Sequence, residues 1–280
     1  MLIRAAEDIY PREEARAIAF VLAKYCYGFG RTEVAMDPEA EVENYNTLMF
    51  NDIVRQLLGW RPVQYILGET EFMDLRLEVT ESTLIPRPET EELVDAIIKY
   101  PRGTCSPRIL DIGTGSGAIA IALAKNLAGS EVDAVDISGD ALGLARKNAE
   151  NNGAQVNFIC ADVLLPPERF LETLPCGQYD IIVSNPPYIP ESERLSMRAN
   201  VSRYEPHGAL FVPDSDPLLF YRSIGRVACE ALSPGGELWF EVHENFARNV
   251  CALMEEHRFK DIVTIRDING KERIVRCLKD

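Results

Sequence analysis

From about residue 107 to its end, the chain alternates short apolar runs with helix-length amphipathic stretches, and this restricts the fold more than any other feature. Runs at 108–112, 131–135, 156–160, 179–184, 237–242, 261–266 and 273–278 read as buried strands. Stretches at 117–128, 139–152, 217–232 and 244–257 read as helices. Strands joined through a helix return in the same direction, so they lie parallel with helices covering both faces. The expectation is an α/β domain with a doubly wound, mainly parallel, seven-stranded sheet. No helix separates the last two strands, so an antiparallel hairpin is expected at one edge.

The first part of the chain follows a different period. Pro11 stands at a tolerated first-turn position, Glu13 and Glu14 follow it, and Ala15, Ile18, Ala19, Leu22 and Tyr25 recur at helical spacing. Residues 46–59 give a second amphipathic helix that stops at Gly59. Phe72, Leu75, Leu77 and Val79 then alternate as in a short hairpin. The predicted division is a small helical domain over 1–65, a β-hairpin linker over 66–90 and the large α/β domain over 91–280.

With 29 Lys and Arg against 44 Asp and Glu, the net charge is −15 and no basic run offsets it locally. Such a surface repels a nucleic-acid backbone, which argues against a general DNA or RNA binder. The seven cysteines (Cys26, Cys105, Cys160, Cys176, Cys229, Cys251 and Cys277) form no Cys-x-x-Cys pair and have no metal-ligand spacing to histidine. They read as reduced thiols, no metal is expected, and the N-terminus lacks the apolar core of a signal peptide. No apolar stretch approaches the roughly 20 residues that span a bilayer. A cytoplasmic monomer is expected.

The candidate chemistry sits at strand ends. Strand 179–184 runs into Asn185-Pro186-Pro187-Tyr188. Neither proline can donate to a ladder and each fixes its own φ, so the chain leaves the sheet stiffly at Asn185. The Asn185 side-chain oxygen and the Pro186 backbone oxygen can together accept both hydrogens of a planar –NH2 group, with Tyr188 stacked on its plane. A strand-ending turn with a capping Asn is the alternative for this segment alone. Strand 108–112 leads into Asp111-Ile-Gly113-Thr114-Gly115-Ser116-Gly117-Ala118, whose glycines permit a tight turn and close approach of a ligand. The pattern also satisfies a dinucleotide fingerprint, so an NAD-dependent oxidoreductase stays open here. Asp136 ends the second strand and can accept both hydroxyls of a ribose; Asp162 follows the third and can accept an adenine amino group. In an open α/β sheet, ligands lie outside the carboxyl ends of the strands, where one molecule would meet all four groups.

Together these segments resemble the class I S-adenosylmethionine (SAM) methyltransferases, and within them the HemK/PrmC family. The resemblance is carried by Pro62-Val-Gln-Tyr-Ile-Leu-Gly68, Leu84-Ile-Pro-Arg-Pro-Glu-Thr-Glu91, the glycine loop, Ser184-Asn-Pro-Pro-Tyr-Ile189 and Tyr204-Glu-Pro-His207. It implies a Rossmann-like SAM methyltransferase that modifies the side-chain amide nitrogen (N5) of the glutamine in the Gly-Gly-Gln loop of peptide chain release factors. It also implies that Gly113, Thr114, Gly115, Ser116, Gly117, Asp136, Asp162, Val163 and Asn185 surround SAM. Asn185, Pro186, Pro187 and Tyr188 would hold the glutamine amide, with Asn185, Pro186 and Tyr188 as the catalytic set. Release factors are the implied partner, gripped by the helical domain, with no direct role for nucleic acid or membrane.

Two departures stand out: His243 and Phe246 occupy positions where relatives tend to have other residues, and Asp74 sits where a hairpin Gly is usual. Arg87 and Glu89 either organise the cofactor mouth or the interdomain joint, or form a surface ion pair. The rival enzyme is an amino-methyltransferase acting on adenine or cytosine, which uses the same clamp on a flipped base. A non-catalytic scaffold is a further alternative.

Overall fold

Along the central strands, successive side chains are buried in two different cores, as a sheet covered on both faces requires. Leu110, Ile112, Ile182, Leu238, Phe240, Val275 and Cys277 share one core. Ile109, Ile181, Val183, Trp239 and Ile274, their sequence neighbours, share the other. The molecule is described by a computed structural model covering residues 10–36, 47–100, 106–175 and 177–280. The expectations for the N-terminal segment 1–9, Asn46, Cys105 and Cys176 fall outside those residues.

The chain forms two compact units, one comprising Met1–Gly68 with Arg198–Tyr204, the other Glu69–Met197 with Glu205–Asp280. In the first unit lie helices α1 (Arg12–Tyr27), α2 (Arg31–Met36), α3 (Thr47–Leu58) and α4 (Val63–Leu67). Ala15, Ile18, Ala19 and Leu22 are buried as their spacing predicts, and Ile18 and Leu22 pack with Ile53 and Leu57 of α3. Tyr25 is instead 49% exposed, because Cys26, four residues after Leu22, continues the apolar stripe.

The second unit begins with a hairpin, β1 (Glu69–Phe72) and β2 (Leu75–Glu78), turning through Met73 and Asp74 at φ 46° and 63°. Read from sequence as a linker, the hairpin contributes Phe72, Leu75 and Leu77 to the core of this unit. Helix α5 (Pro88–Lys99), absent from the sequence reading, follows with Pro88 in its first turn and Leu93, Val94 and Ile97 buried. Then come β3 (Arg108–Ile112), α6 (Ala118–Asn126), β4 (Glu131–Asp136), α7 (Gly139–Asn151), β5 (Asn157–Cys160), α8 (Pro167–Leu171) and β6 (Tyr179–Ser184). A two-residue pair, β7 (Ile189–Pro190) with β8 (Phe211–Val212), follows, and between them in sequence come the short helices α9 (Ala199–Tyr204), which belongs to the first unit, and α10 (His207–Leu210). The unit closes with α11 (Leu219–Ala231), β9 (Leu232–Glu241), α12 (Ala247–Glu256), β10 (Lys260–Arg266) and β11 (Glu272–Leu278).

The seven strands are ordered β10-β11-β9-β6-β3-β4-β5. β11 alone runs antiparallel, inserted between β9 and β10, so the expected edge hairpin is present with β10 outermost. The chain order reverses at β3, which pairs in parallel with β4 on one side and β6 on the other. That reversal opens a crevice at the carboxyl ends of β3 and β6, the place where ligands settle in such sheets.

Candidate functional site

The four predicted strand-end groups are neighbours, because β6, β3, β4 and β5 are consecutive in the sheet. Two hydrogen bonds from the glycine loop, Gly113 N and Thr114 N to Val135 O at 2.8 and 3.0 Å, fasten β3's exit to β4. The buried Ser184 hydroxyl donates to Ile112 O at 2.6 Å and fastens β6 to β3. Ala161 N donates to Asp136 O at 3.1 Å, so Asp162 emerges beside Asp136. A groove of about 900 Å³ lined by Arg108, Glu131 and Asn157 lies at the opposite ends of these strands and contains none of the candidate groups.

Gly115 has φ 55°, and a methyl group built there would meet no atom within 4 Å, so the loop presents bare backbone to open space. Asp136 braces it from the side: Oδ2 accepts Gly115 N at 2.8 Å and Oδ1 accepts Ser138 N at 2.9 Å. Each oxygen keeps a lone pair for a further donor. Asp162 Oδ1 takes Leu164 N at 2.9 Å, and Val163 is buried with its carbonyl bound by the Ser223 hydroxyl. Ile137, directly after Asp136, is 66% exposed, an apolar surface beside the strand end that the sequence reading did not single out.

Beneath the loop, Asp111 is fully buried. Its Oδ2 accepts the Thr114 hydroxyl at 2.7 Å, while Oδ1 has no partner. Burial raises its pKa from 3.8 to about 7, against the opposing pull of the Thr114 hydrogen bond. Asn148 of α7, also fully buried, donates to Ser116 O and Glu78 O and accepts Glu78 N, clamping the loop to the hairpin.

Asn185 Nδ2 donates to the Thr90 hydroxyl at 3.1 Å. The Thr90 hydroxyl donates in turn to Glu241 Oε2 at 2.6 Å, and Tyr188 OH donates to Glu241 Oε1 at 3.1 Å. Among the described residues no donor reaches Asn185 Oδ1 or Pro186 O. The carboxamide therefore turns its nitrogen inward to Thr90, and its oxygen takes no hydrogen bond from the described residues. Tyr188 packs against His243 with ring centroids 6.0 Å apart. Burial, reinforced by Glu241, drives its hydroxyl pKa upward. Burial also raises the pKa of Glu241.

Arg87 pairs with Glu205 Oε1 at 2.5 Å, and Glu205 Oε2 accepts Ile85 N at 3.3 Å. With the Glu205 side chain only 1% exposed, this is not the surface ion pair that the sequence left open for Arg87. Glu89 stands in the first turn of α5 and its charge bears on Glu241. Thr90, Asn148, Glu205 and Glu241 were not singled out from the sequence, although Thr90 lies within the Pro-Arg-Pro-Glu-Thr segment and Glu205 within Tyr-Glu-Pro-His.

The class of this fold and glycine loop is given by comparison: the methyltransferase small domain family matches residues 90–202. The PrmC N-terminal domain family matches residues 2–68. A release factor glutamine methyltransferase from Bacteroides thetaiotaomicron is 42% identical over 272 residues, covering 97% of this chain and 95% of its own. One from Flavobacterium psychrophilum is 40% identical over 277 residues, covering 98% and 95%. The crystal structure of a methyltransferase from Pyrococcus furiosus shares the fold, with a TM-score of 0.54 at 17% identity, covering 83% of this chain and 95% of that one. The chain belongs to the release factor glutamine methyltransferase family, and the dinucleotide and scaffold readings fall away.

Proposed function

We propose that this chain transfers the methyl group of S-adenosylmethionine to the side-chain amide nitrogen of the glutamine in the Gly-Gly-Gln loop of peptide chain release factors. The observation that carries this reading is the Asn185 carboxamide at the end of β6, beside the sheet's point of reversal, its nitrogen held by Thr90 so that its oxygen is left as an acceptor. Two converging acceptors suit the two hydrogens of a primary amide. They do not suit a carboxylate or a hydroxyl equally well.

The residues at the neighbouring strand ends fit the methyl donor. Gly113 and Gly115 offer backbone with room for close approach, and Asp136 has acceptor capacity left for a ribose diol. Asp162 and Val163 would flank the adenine. S-adenosylmethionine supplies a methyl group activated by its sulfonium centre.

The chain's own contribution is geometric and electrostatic. An amide nitrogen is a weak nucleophile because its lone pair is delocalised into the carbonyl. Holding both hydrogens on Asn185 Oδ1 and Pro186 O fixes the amide plane and leaves one nitrogen face open to attack. Tyr188 does not serve as a base: its proton is already given to Glu241 and burial raises its pKa. The extra proton on nitrogen is lost to water. The helical unit engages the release factor, and the enzyme acts as a cytoplasmic monomer beside its substrate.

Mass spectrometry of a purified release factor incubated with the protein and SAM tests the reading. One added methyl on the loop glutamine is expected; none on the protein, with methyl found on DNA or RNA instead, overturns it. Asn185→Ala is expected to lower turnover about 100- to 1,000-fold, as loss of a preorganised polar contact does, with SAM affinity little changed. Equal losses in both would count against the clamp.

A further inference from the structure

We propose that Thr90 and Glu241 are positioning residues that dictate which end of the Asn185 carboxamide faces the substrate. This rests on the amide-clamp reading above. A carboxamide has two ends of nearly equal shape and opposite hydrogen-bonding sense. Turned by half a revolution, Asn185 would occupy the same space but present –NH2 to a substrate –NH2, and the clamp would repel what it must hold. Packing alone cannot choose between the two states; hydrogen-bond polarity can.

The choice is made two residues away. Thr90 Oγ1 has a single hydrogen, and Glu241 Oε2, 2.6 Å distant, takes it. Thr90 is then left with acceptor capacity only on the side of Asn185, 3.1 Å away, so the amide must turn its Nδ2 inward. Glu241 is suited to begin this chain of orientations because a carboxylate accepts and never donates. It is 1% exposed and burial, with the charge of Glu89, raises its pKa, but both its oxygens receive hydroxyl protons, from Thr90 and Tyr188, and these two hydrogen bonds together with the charge of Arg273 pull toward the ionised form. Its place in the sheet is fixed from behind, since the Tyr221 hydroxyl donates to its backbone carbonyl at 3.0 Å. Thr90 is 4% exposed and lies in the first turn of α5, while Glu241 is the last residue of β9. Helix, sheet and clamp are thus joined by one directional chain, Tyr188 and Thr90 to Glu241 and Asn185 to Thr90.

The test is a double-mutant cycle on turnover with a release factor and saturating SAM, using Thr90→Val, Asn185→Ala and their combination. Thr90→Val preserves side-chain volume and removes the hydroxyl. It is expected to lower kcat about 10- to 100-fold, the scale of a misplaced reacting group, while SAM affinity measured by calorimetry stays within about twofold. Thr90→Ser, which keeps the hydroxyl, is expected to recover most of the loss. A residue acting through Asn185 has nothing left to position once Asn185 is gone, so adding Thr90→Val to Asn185→Ala should cost less than about twofold more. Additive losses in the cycle, or wild-type turnover in Thr90→Val, would overturn the proposal. If Thr90→Val fails to fold, Glu241→Gln takes its place in the same cycle. Its carboxamide can donate to Thr90 and so release the lock, with the same non-additive result expected.

A readout independent of turnover is the side-chain amide signal of Asn185 in the nitrogen-labelled protein. One Nδ2 hydrogen should exchange slowly in the wild type and in Thr90→Ser, and rapidly in Thr90→Val. Equal exchange in all three would also overturn the proposal. The two readings fail differently. A wild-type protein that never methylates a release factor sinks the functional reading and this proposal with it. A wild type that methylates but gives an additive cycle sinks the positioning role alone.

Discussion

Replacing Gly115 and Gly117 separately by alanine should separate ligand contact from folding within a single loop. Gly117 has φ 85°, and an added methyl would stand 2.9 Å from Ile121 Cδ1, 3.2 Å from Ala145 Cβ and 3.5 Å from Ala145 Cα. Left-handed backbone costs an L-residue about 1–2 kcal/mol. Forcing a methyl between α6 and α7 adds about 1–3 kcal/mol, because the α7 backbone at Ala145 cannot turn aside. The total, about 2–5 kcal/mol, corresponds to a fall in Tm of about 5–15 °C for a unit of this size. Gly115, at φ 55°, is already within the left-handed well open to L-residues and its methyl would touch nothing. Gly115→Ala should therefore lower Tm by only about 2–4 °C, from about 1 kcal/mol of backbone cost. Its methyl, however, would stand where the ligand is proposed to approach, and SAM affinity should fall at least about tenfold, or about 1.4 kcal/mol. Differential scanning fluorimetry reads the first quantity and isothermal titration calorimetry the second. A Gly115→Ala protein that folds and binds SAM like the wild type would refute the assignment of that open side to the ligand. Equal melting of the two variants would refute the packing argument.

The other perturbations act beneath the site. Arg87→Ala should destabilise more than Glu205→Ala, by about 3–5 kcal/mol against about 2, because it strands a carboxylate that is 1% exposed whereas Arg87, 31% exposed, can turn to water; urea melts giving the reverse order would show that the pair is not the anchor of the segment before α5. Asn148→Ala leaves Ser116 O and both backbone groups of Glu78 without their partner and should cost about 2–4 kcal/mol, so a melting curve matching the wild type would remove its clamping role. Asp111 holds its proton more tightly folded than unfolded, its pKa raised by burial from 3.8 to about 7, so its contribution to stability is full below about pH 4 and is lost as pH rises toward 7. Asp111→Asn should flatten that part of the ligand-free stability–pH curve, leaving the share of Glu241, which has the same sign; unchanged slope in denaturant melts across pH 4–7 would contradict it.

Several strands could be read to within a residue or two because burial on both faces makes each a continuous apolar run ended by Gly, Pro or Asp. β3 and β6 match their expected limits at both ends. Helix α5 was missed for a local reason: Pro86-Arg-Pro88 reads as a breaker, although Pro88 is harmless in a first turn and Leu93, Val94 and Ile97 carry the helical period behind it. The candidate site divides along the same line. Asn185, Asp136 and the glycine loop stand out as candidates because each lies at the carboxyl end of its own strand, so local pattern and tertiary position coincide. Thr90 reaches Asn185 across 95 residues of sequence and Glu241 across 151. No periodicity in a single chain encodes such a contact; it exists only once α5 has packed on β9. A motif therefore names the groups that touch a substrate but not the sense in which they face it. For a carboxamide, whose two ends differ only in polarity, that sense would decide whether the proposed clamp attracts or repels, and the hydrogen bonds that fix it here come from Thr90 and Glu241, outside Asn-Pro-Pro-Tyr.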